Sequence, residues 1–306
     1  MYEKKKKSAD RIVCRGKKKR ESQTAYLMLC PALAGFLIFI GVPILALFIL
    51  SFMKYDIISA PIFCGLRNIK HFFNDHTLPK VYFNTFKFAV FLIPLHICWG
   101  MLLAYCVSRM NRKVQYLCRT IIYFPAIVTT ASVAIAWAYM YSTDLGVFNY
   151  FLGKIGITVP WLTSSKWSIP AIVIFSLWKF IGTAFLYLFV GIQGVPVELE
   201  EAAKIDGANA RQTFFHVTQP IITPILFFVT ITTVISSVQM FDEPYLITAG
   251  GPGDSSRTIS LYIYEKAFRA YDMGYASVLA ASLFFIILIL TLIQFKISNK
   301  WVNYDN

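Results

Sequence analysis

The chain has 306 residues, 57% of them hydrophobic and 15% charged, with a formal net charge of +13. A water-soluble domain carries about 25% charged residues, so the composition disfavours a cytosolic enzyme and points to a chain with the bilayer as its solvent. The positive charge is not spread as a face for nucleic acid. Residues 1–25 hold ten Lys/Arg (Lys4 to Lys7, Arg11, Arg15, Lys17 to Arg20) against Glu3, Asp10 and Glu21, which reads as a basic cytoplasmic tail.

Six apolar stretches follow, at 26–52, 84–108, 120–142, 168–194, 220–240 and 274–295, and all sixteen Asp and Glu lie outside them. The shortest has 21 residues, enough for a hydrocarbon core that needs about 20 residues of helix. They predict an all-α membrane protein with six transmembrane helices. The first stretch, at 27 residues, is too long for a signal-peptide core of roughly 7–15 residues, and no small-x-small cleavage site follows it, so it reads as a retained span. With both termini inside, the cytoplasmic segments hold 18 Lys/Arg and the outside loops 9, which sets the orientation. A ten-residue alternating pattern is absent, which excludes a β-barrel, and no internal repeat supports the inverted halves of a secondary transporter. The six cysteines (Cys14, Cys30, Cys64, Cys98, Cys106, Cys118) have no CxxC spacing and read as small apolar fillers.

Residues 195–219 differ from the other loops. Pro196 suits the first turn of a helix, and Glu198, Glu200 and Glu201 follow where the helix dipole favours anions. Val195, Leu199 and Ala203 fall on one face at i, i+4, i+8. Asp206-Gly207 is a turn signal, with Gly207 free to adopt positive φ and end the helix. Ala210 to Val217 predicts a second short helix, and Pro220 marks the start of the next span. The result is a helix–turn–helix at the cytoplasmic surface, whose small residues Ala202, Ala203, Gly207 and Ala208 leave a low surface for another protein's cleft.

Glu201-Ala202-Ala203, Asp206-Gly207-Ala208, Phe214, Pro220 and Pro224 together resemble the EAA loop of ABC-importer permeases, with Val217 and Gln219 in place of the usual Ile and Leu. Further segments are similar to the carbohydrate (maltose-type) branch of that family: Ser51-Phe52…Tyr55-Asp56, Phe63-x-Gly65-Leu66-x-Asn68, Asn84-Thr85, Trp178-Lys179-x-x-Gly182, Phe241-Asp242-x-Pro244-Tyr245, Gly250 to Gly253, and Met273-Gly274-Tyr275-Ala276. The resemblance implies the type I importer permease (MetI-like) fold. It divides the chain into a tail at 1–25, a first helix and outside loop at 26–83, a permease domain at 84–296 containing the coupling loop 195–219, and a tail at 297–306. It also implies partners: a second permease subunit, a dimer of ATP-binding cassette ATPase subunits and an extracellular solute-binding protein, all in or at the plasma membrane. The implied solute is a sugar or oligosaccharide, with a polyol or glycerol phosphate as the alternative.

The sequence holds no G-x-x-x-x-G-K-[ST] phosphate loop, and Gly250-Gly-Pro-Gly253 does not open a helix after a strand, so ATP hydrolysis is expected from another chain and no cofactor is expected. An intramembrane enzyme is the first rival, but the four histidines (His71, His76, His96, His216) make no HExxH and His96 shares its span with no acid. A secondary carrier is the other, and it lacks the carboxylates within spans that ion coupling uses. Lys179, mid-span, either faces the bundle interior on a solute path or snorkels outward. Ser236, Ser237, Gln239 and Asp242, at the outer end of the fifth span, either line a polar path or make helix–helix hydrogen bonds. The many aromatics suit interfacial belts.

Overall fold

A computed structural model of the protein describes residues 26–303. The basic tail expected at 1–25, with Cys14, and the last three residues of the expected C-terminal tail lie outside the described residues. Regular structure is helical apart from two short antiparallel strands, β1 (Met53–Lys54) and β2 (Ile62–Phe63), which pair Met53 with Phe63 and Lys54 with Ile62.

Four of the expected spans are single helices: α1 (Tyr26–Leu50), α3 (Leu78–Ser108), α7 (Ser168–Gln193) and α12 (Met273–Ser298). Short α2 (Arg67–Asn74) lies between the strands and α3. The remaining two spans are bent helix pairs, which brings the number to the six expected when each pair is taken as one span. The third consists of α4 (Arg112–Ile127) and α5 (Thr130–Met140), bent by 93°. The segment 109–119, expected as a loop, is therefore mostly helix. The turn there is short, and Asn111 caps α4 by accepting the Val114 N–H at 3.0 Å. The fifth consists of α9 (Ala210–Ile221) and α10 (Thr223–Val238), bent by 72° at a break within one turn of Pro220. Short helices α6 (Val147–Gly153), α8 (Val197–Ile205) and α11 (Ile259–Tyr264) and π-helical turns at Pro244–Thr248 and Glu265–Arg269 complete the set.

The break in the third span has a physical partner. Backbone at Val128 and Thr129 is extended, with ψ of 145° and 133°, which leaves the last carbonyls of α4 without intrahelical donors. Lys179 of α7 supplies the donor: its Nζ reaches the Pro125 carbonyl at 2.5 Å and also the Val128 carbonyl. A cation at a helix C-terminus also meets the negative end of the dipole. Non-helical backbone at membrane depth is tolerated only where protein satisfies it, and Lys179, 1% exposed, does that here. One turn on, Gly182 lets α7 approach α4 closely. A Cβ there would lie 2.5 Å from the Ile122 carbonyl oxygen and 2.7 Å from the Tyr123 Cα. Trp178 packs on Trp137 of α5 with ring centroids 5.0 Å apart. The Trp-Lys-x-x-Gly segment is thus the interlock between α7 and the broken span.

Between helices in lipid, packing rests on van der Waals fit rather than on escape from water. The largest packed layer joins Ala104 and Val107 of α3 to Phe185, Leu188, Phe189 and Ile192 of α7, with Ile222 and Val229 behind them. At the opposite end of the bundle Leu78, Val81, Ile259, Tyr262, Tyr275 and Leu279 form a second layer. Phe83, Phe86, Leu102, Ile289 and Phe295 point outward and are exposed, as lipid-facing side chains would be. Cys30, Cys98 and Cys106 share that surface, Cys64 and Cys118 are half-buried, and all five are free thiols.

Polar side chains staple the loops to the helices. Asn84 Nδ2 donates to the Asp254 and Arg257 carbonyls (2.6 and 3.1 Å), and Thr85 Oγ1 accepts the Ile259 N–H (3.0 Å). Asn68 Nδ2 donates to the Ser51 and Met53 carbonyls (3.1 and 2.9 Å). The hydroxyls of Tyr262 and Tyr275 both donate to Asp75 Oδ2 at 2.6 Å, and the Thr77 N–H donates to Oδ1 at 2.8 Å. Burial pushes the Asp75 carboxyl up, but these bonds to its charged form outweigh that and hold it at about 2.

Candidate functional site

Two places concentrate features beyond packing: the connection between α7 and α10, and a cavity among α3, α7 and α10.

The connection begins where Val195, buried in the packed layer, anchors the end of α7. Pro196 takes the N-cap position with φ −56° and ψ 128°, so α8 begins at Val197 with Glu198 and Glu200 in its first turn. Val195 therefore precedes the helix and does not share a face with Leu199 and Ala203, because Pro196 turns the chain between them. Leu199 is exposed and Ala203 half-buried. The helix ends as the sequence predicts. Gly207 has φ +81°, its N–H donates to the Lys204 carbonyl at 3.1 Å, and the Ala208 N–H reaches the Ala203 carbonyl at 2.9 Å. A Cβ on Gly207 would meet nothing within 4 Å, so backbone conformation, not space, is what calls for glycine.

Asn209 then opens α9 with a reciprocal cap. Its Oδ1 accepts the Gln212 N–H at 2.9 Å, and Gln212 Oε1 accepts the Asn209 N–H at 2.8 Å. The expected second helix, Ala210 to Val217, runs on to Ile221 through a π-helical turn at Phe214–Thr218. Glu201, Ala202, Lys204, Ile205, Asp206 and Gly207 are all exposed. Ala203, Asp206, Gly207, Ala208, Gln212 and His216 border a shallow cleft of about 360 Å³. The predicted residues thus come together on one exposed ridge with a small-residue surface.

The cavity has a volume of about 480 Å³. Ser236, Ser237, Gln239 and Asp242 line it, and Lys179, grouped with them in the sequence reading, does not. Its ammonium is committed to α4 carbonyls. The sequence reading missed His96, Thr183, Tyr187, Thr232, Thr233 and Glu243, which also line it. His96 Nε2 lies 2.9 Å from the Phe180 carbonyl, which only accepts, so Nε2 carries the proton. Nδ1 then accepts from Thr233 Oγ1 at 3.1 Å. The imidazole therefore bridges α3, α7 and α10. Tyr187 and Phe228 meet edge-on at 5.1 Å beside these hydroxyls. Hydroxyl, amide and carboxylate groups beside aromatic rings can bind a polyhydroxylated molecule; no metal-ligand cluster is found among the described residues.

Comparison with known proteins bears on the whole chain. Residues 96–303 match a family described as the inner membrane component of binding-protein-dependent transport systems. The probable ABC transporter permease protein YesP of Bacillus subtilis (strain 168) is 34% identical over 294 residues, covering 94% of each chain. The trehalose/maltose transport system permease protein MalF of Thermococcus litoralis is 31% identical over 283 residues, covering 92% of this chain and 95% of the relative. Among solved structures, a chain of a bacterial ABC transporter involved in importing the acidic polysaccharide alginate superposes with a TM-score of 0.81 at 22% identity, over 94% of this chain and 99% of that one. That likeness gives the fold: the importer-permease (MetI-like) arrangement of helices.

Proposed function

We propose a function for a chain that belongs to the family of inner membrane components of binding-protein-dependent transport systems: it is the membrane-spanning permease subunit of an ATP-driven importer for a sugar or oligosaccharide. The observation that carries this reading is the exposed helix–turn–helix between two spans, with Gly207 at φ +81° closing its first helix. Glu201, Ala202, Ala203, Asp206, Gly207 and Ala208 form the ridge that docks into a separate ATPase subunit. The similarity to a trehalose/maltose transport permease favours a carbohydrate.

In this reading residues 195–219 and both termini face the cytoplasm, as the Lys/Arg imbalance implies. A second permease completes the translocation path, a binding protein delivers the solute at the outer face, and an ATPase dimer hydrolyses ATP. Closure of the ATPases displaces α8, and the helices rock about the cavity so that it opens alternately to each side. Ser236, Ser237, Gln239 and Asp242 offer hydrogen bonds to solute hydroxyls, and Tyr187 and Phe228 offer ring faces. Lys179 holds the broken third span rather than touching solute.

The test is uptake by proteoliposomes holding the full complex, challenged with maltose, trehalose, lactose and an amino acid. ATP-dependent accumulation of a sugar and not of the amino acid is the expected outcome. Accumulation of the amino acid alone would overturn the carbohydrate assignment.

A further inference from the structure

The contacts of α8 with the rest of the chain are few, and one of them is built differently from the others. Arg109, the residue after α3, meets Glu200 of α8 in a two-pronged pair: Nη1 to Oε2 at 3.0 Å and Nη2 to Oε1 at 3.2 Å. Thr218 Oγ1 of α9 donates to the same Glu200 Oε1 at 3.2 Å. The guanidinium lies over the Tyr105 ring, 5.2 Å from its centroid. Tyr105 in turn meets Phe214 of α9 edge-on at 4.7 Å. One turn of α3 therefore grips both helices of the loop, although α3 is not their neighbour in the chain.

We propose that the Arg109–Glu200 pair is the joint through which α8 moves α3, and so the cavity. The proposal rests on reading residues 197–208 as the ATPase-docking element. A planar guanidinium bound through two parallel bonds fixes angle as well as distance, which a single point charge does not. A partly exposed pair of this kind adds little to stability, so its consequence is orientation. The helix it steers is well placed to transmit motion. The helix α3 has 31 residues, roughly 46 Å at 1.5 Å per residue. Its far end holds the 253–257 loop through Lys80 and Asn84, and its middle contributes Leu92 and His96 to the cavity wall. Displacement of α8 by a docked partner therefore reaches the cavity and the opposite end of the bundle through one continuous element. Glu201, the neighbouring carboxylate, forms no ion pair within the described chain and stays exposed on the docking ridge; adjacent glutamates divide the two roles.

The test uses the full complex with its second permease, ATPase subunits and binding protein. The chain carries Ser236→Cys in the cavity, in a background with its six native cysteines replaced by alanine. Labelling of that cysteine by a small methanethiosulfonate reagent is measured without nucleotide and with ATP plus vanadate, for Arg109→Glu, Glu200→Arg and the two combined. Each single reversal is expected to keep ATPase co-purification while reducing the nucleotide-dependent change in labelling rate at least fivefold. The combined reversal is expected to restore it to within twofold. Should a single reversal lower the melting temperature, Arg109→Lys and Glu200→Gln serve instead; they are expected to leave melting unchanged and still lose the response. Wild-type response in the single variants of a responsive complex overturns the joint alone. Loss of ATPase co-purification in both reversals, unrestored by combining them, also overturns it, since the pair would then belong to the docking ridge. An unmutated complex with no nucleotide response overturns the docking reading, and the joint with it.

Discussion

Replacing Lys179 by Met isolates what the buried ammonium does. The methionine fills nearly the same volume but donates nothing, so the Pro125 and Val128 carbonyls at the break in the third span lose their donor. An orphaned buried acceptor costs about 1–3 kcal/mol, giving ~2–6 kcal/mol for two. Removing a buried charge relieves a desolvation penalty, which is why whole buried ion pairs can be exchanged for apolar groups at little cost. Here the carbonyls cannot be exchanged along with the lysine, so the orphan cost wins, and a net loss of ~2–4 kcal/mol remains. At roughly 2–3 °C per kcal/mol for a chain of this size, the melting temperature in detergent should fall by about 5–10 °C. Protease sensitivity should rise at the α4–α5 junction. If Lys179 lined the solute path instead, Lys179→Met would alter the KM for uptake and leave melting untouched. A melting temperature within 1–2 °C of the parent's would refute the capping role.

Gly207→Val should leave insertion and expression intact but abolish ATPase association, because a β-branched residue at φ +81° costs about 1–3 kcal/mol of strain with no contact to offset it; co-purification of the ATPase subunit checks it. Gly182→Ala should destabilise the chain far more than an ordinary surface alanine, since its Cβ would sit 2.5 Å from the Ile122 carbonyl; thermal unfolding reads the difference. Asp75, whose folded pKa of about 2 lies below its ordinary 3.8, contributes stability that is fully present above pH 4 and lost as pH falls towards 2. Discounted for partial exposure, that is on the order of 1 kcal/mol, so Asp75→Asn should lower the melting temperature at pH 6 and match the parent at pH 2. Cysteines introduced at Asp144 and Asp254 should label from outside intact cells, and one at Glu198 should not; labelling at Glu198 would reverse the orientation.

What the sequence disclosed depended on how local each cause was. Apolar runs without acids located the spans, because bilayer thickness acts on consecutive residues. The first helix of the 195–219 loop was equally legible: Pro196 and Gly207 act through their own backbones. The breaks were not. Pro94 sits inside the uninterrupted α3, whereas Pro125 lies three residues before a 93° bend. Proline alone does not decide between them; the donor that makes the bend affordable, Lys179, is more than fifty residues away in the chain. The cavity was half legible for the same reason. Ser236, Ser237, Gln239 and Asp242 cluster in sequence, but His96, Thr183 and Thr233 meet them only once three helices pack. A single imidazole within an acid-free span was the one available signal. Most of the segments shared with carbohydrate permeases turned out to hold structure together: Asn68, Asn84, Thr85, Gly182 and Tyr275 staple loops or helices to one another.

The central claim is that this chain moves solute only as part of an ATP-driven complex. The direct measurement is accumulation of labelled maltose in proteoliposomes made with the chain alone and with its second permease, ATPase subunits and binding protein, each with ATP or with an imposed proton or sodium gradient. Accumulation confined to the complete complex with ATP is the predicted result. Gradient-driven accumulation by the chain alone would contradict the account.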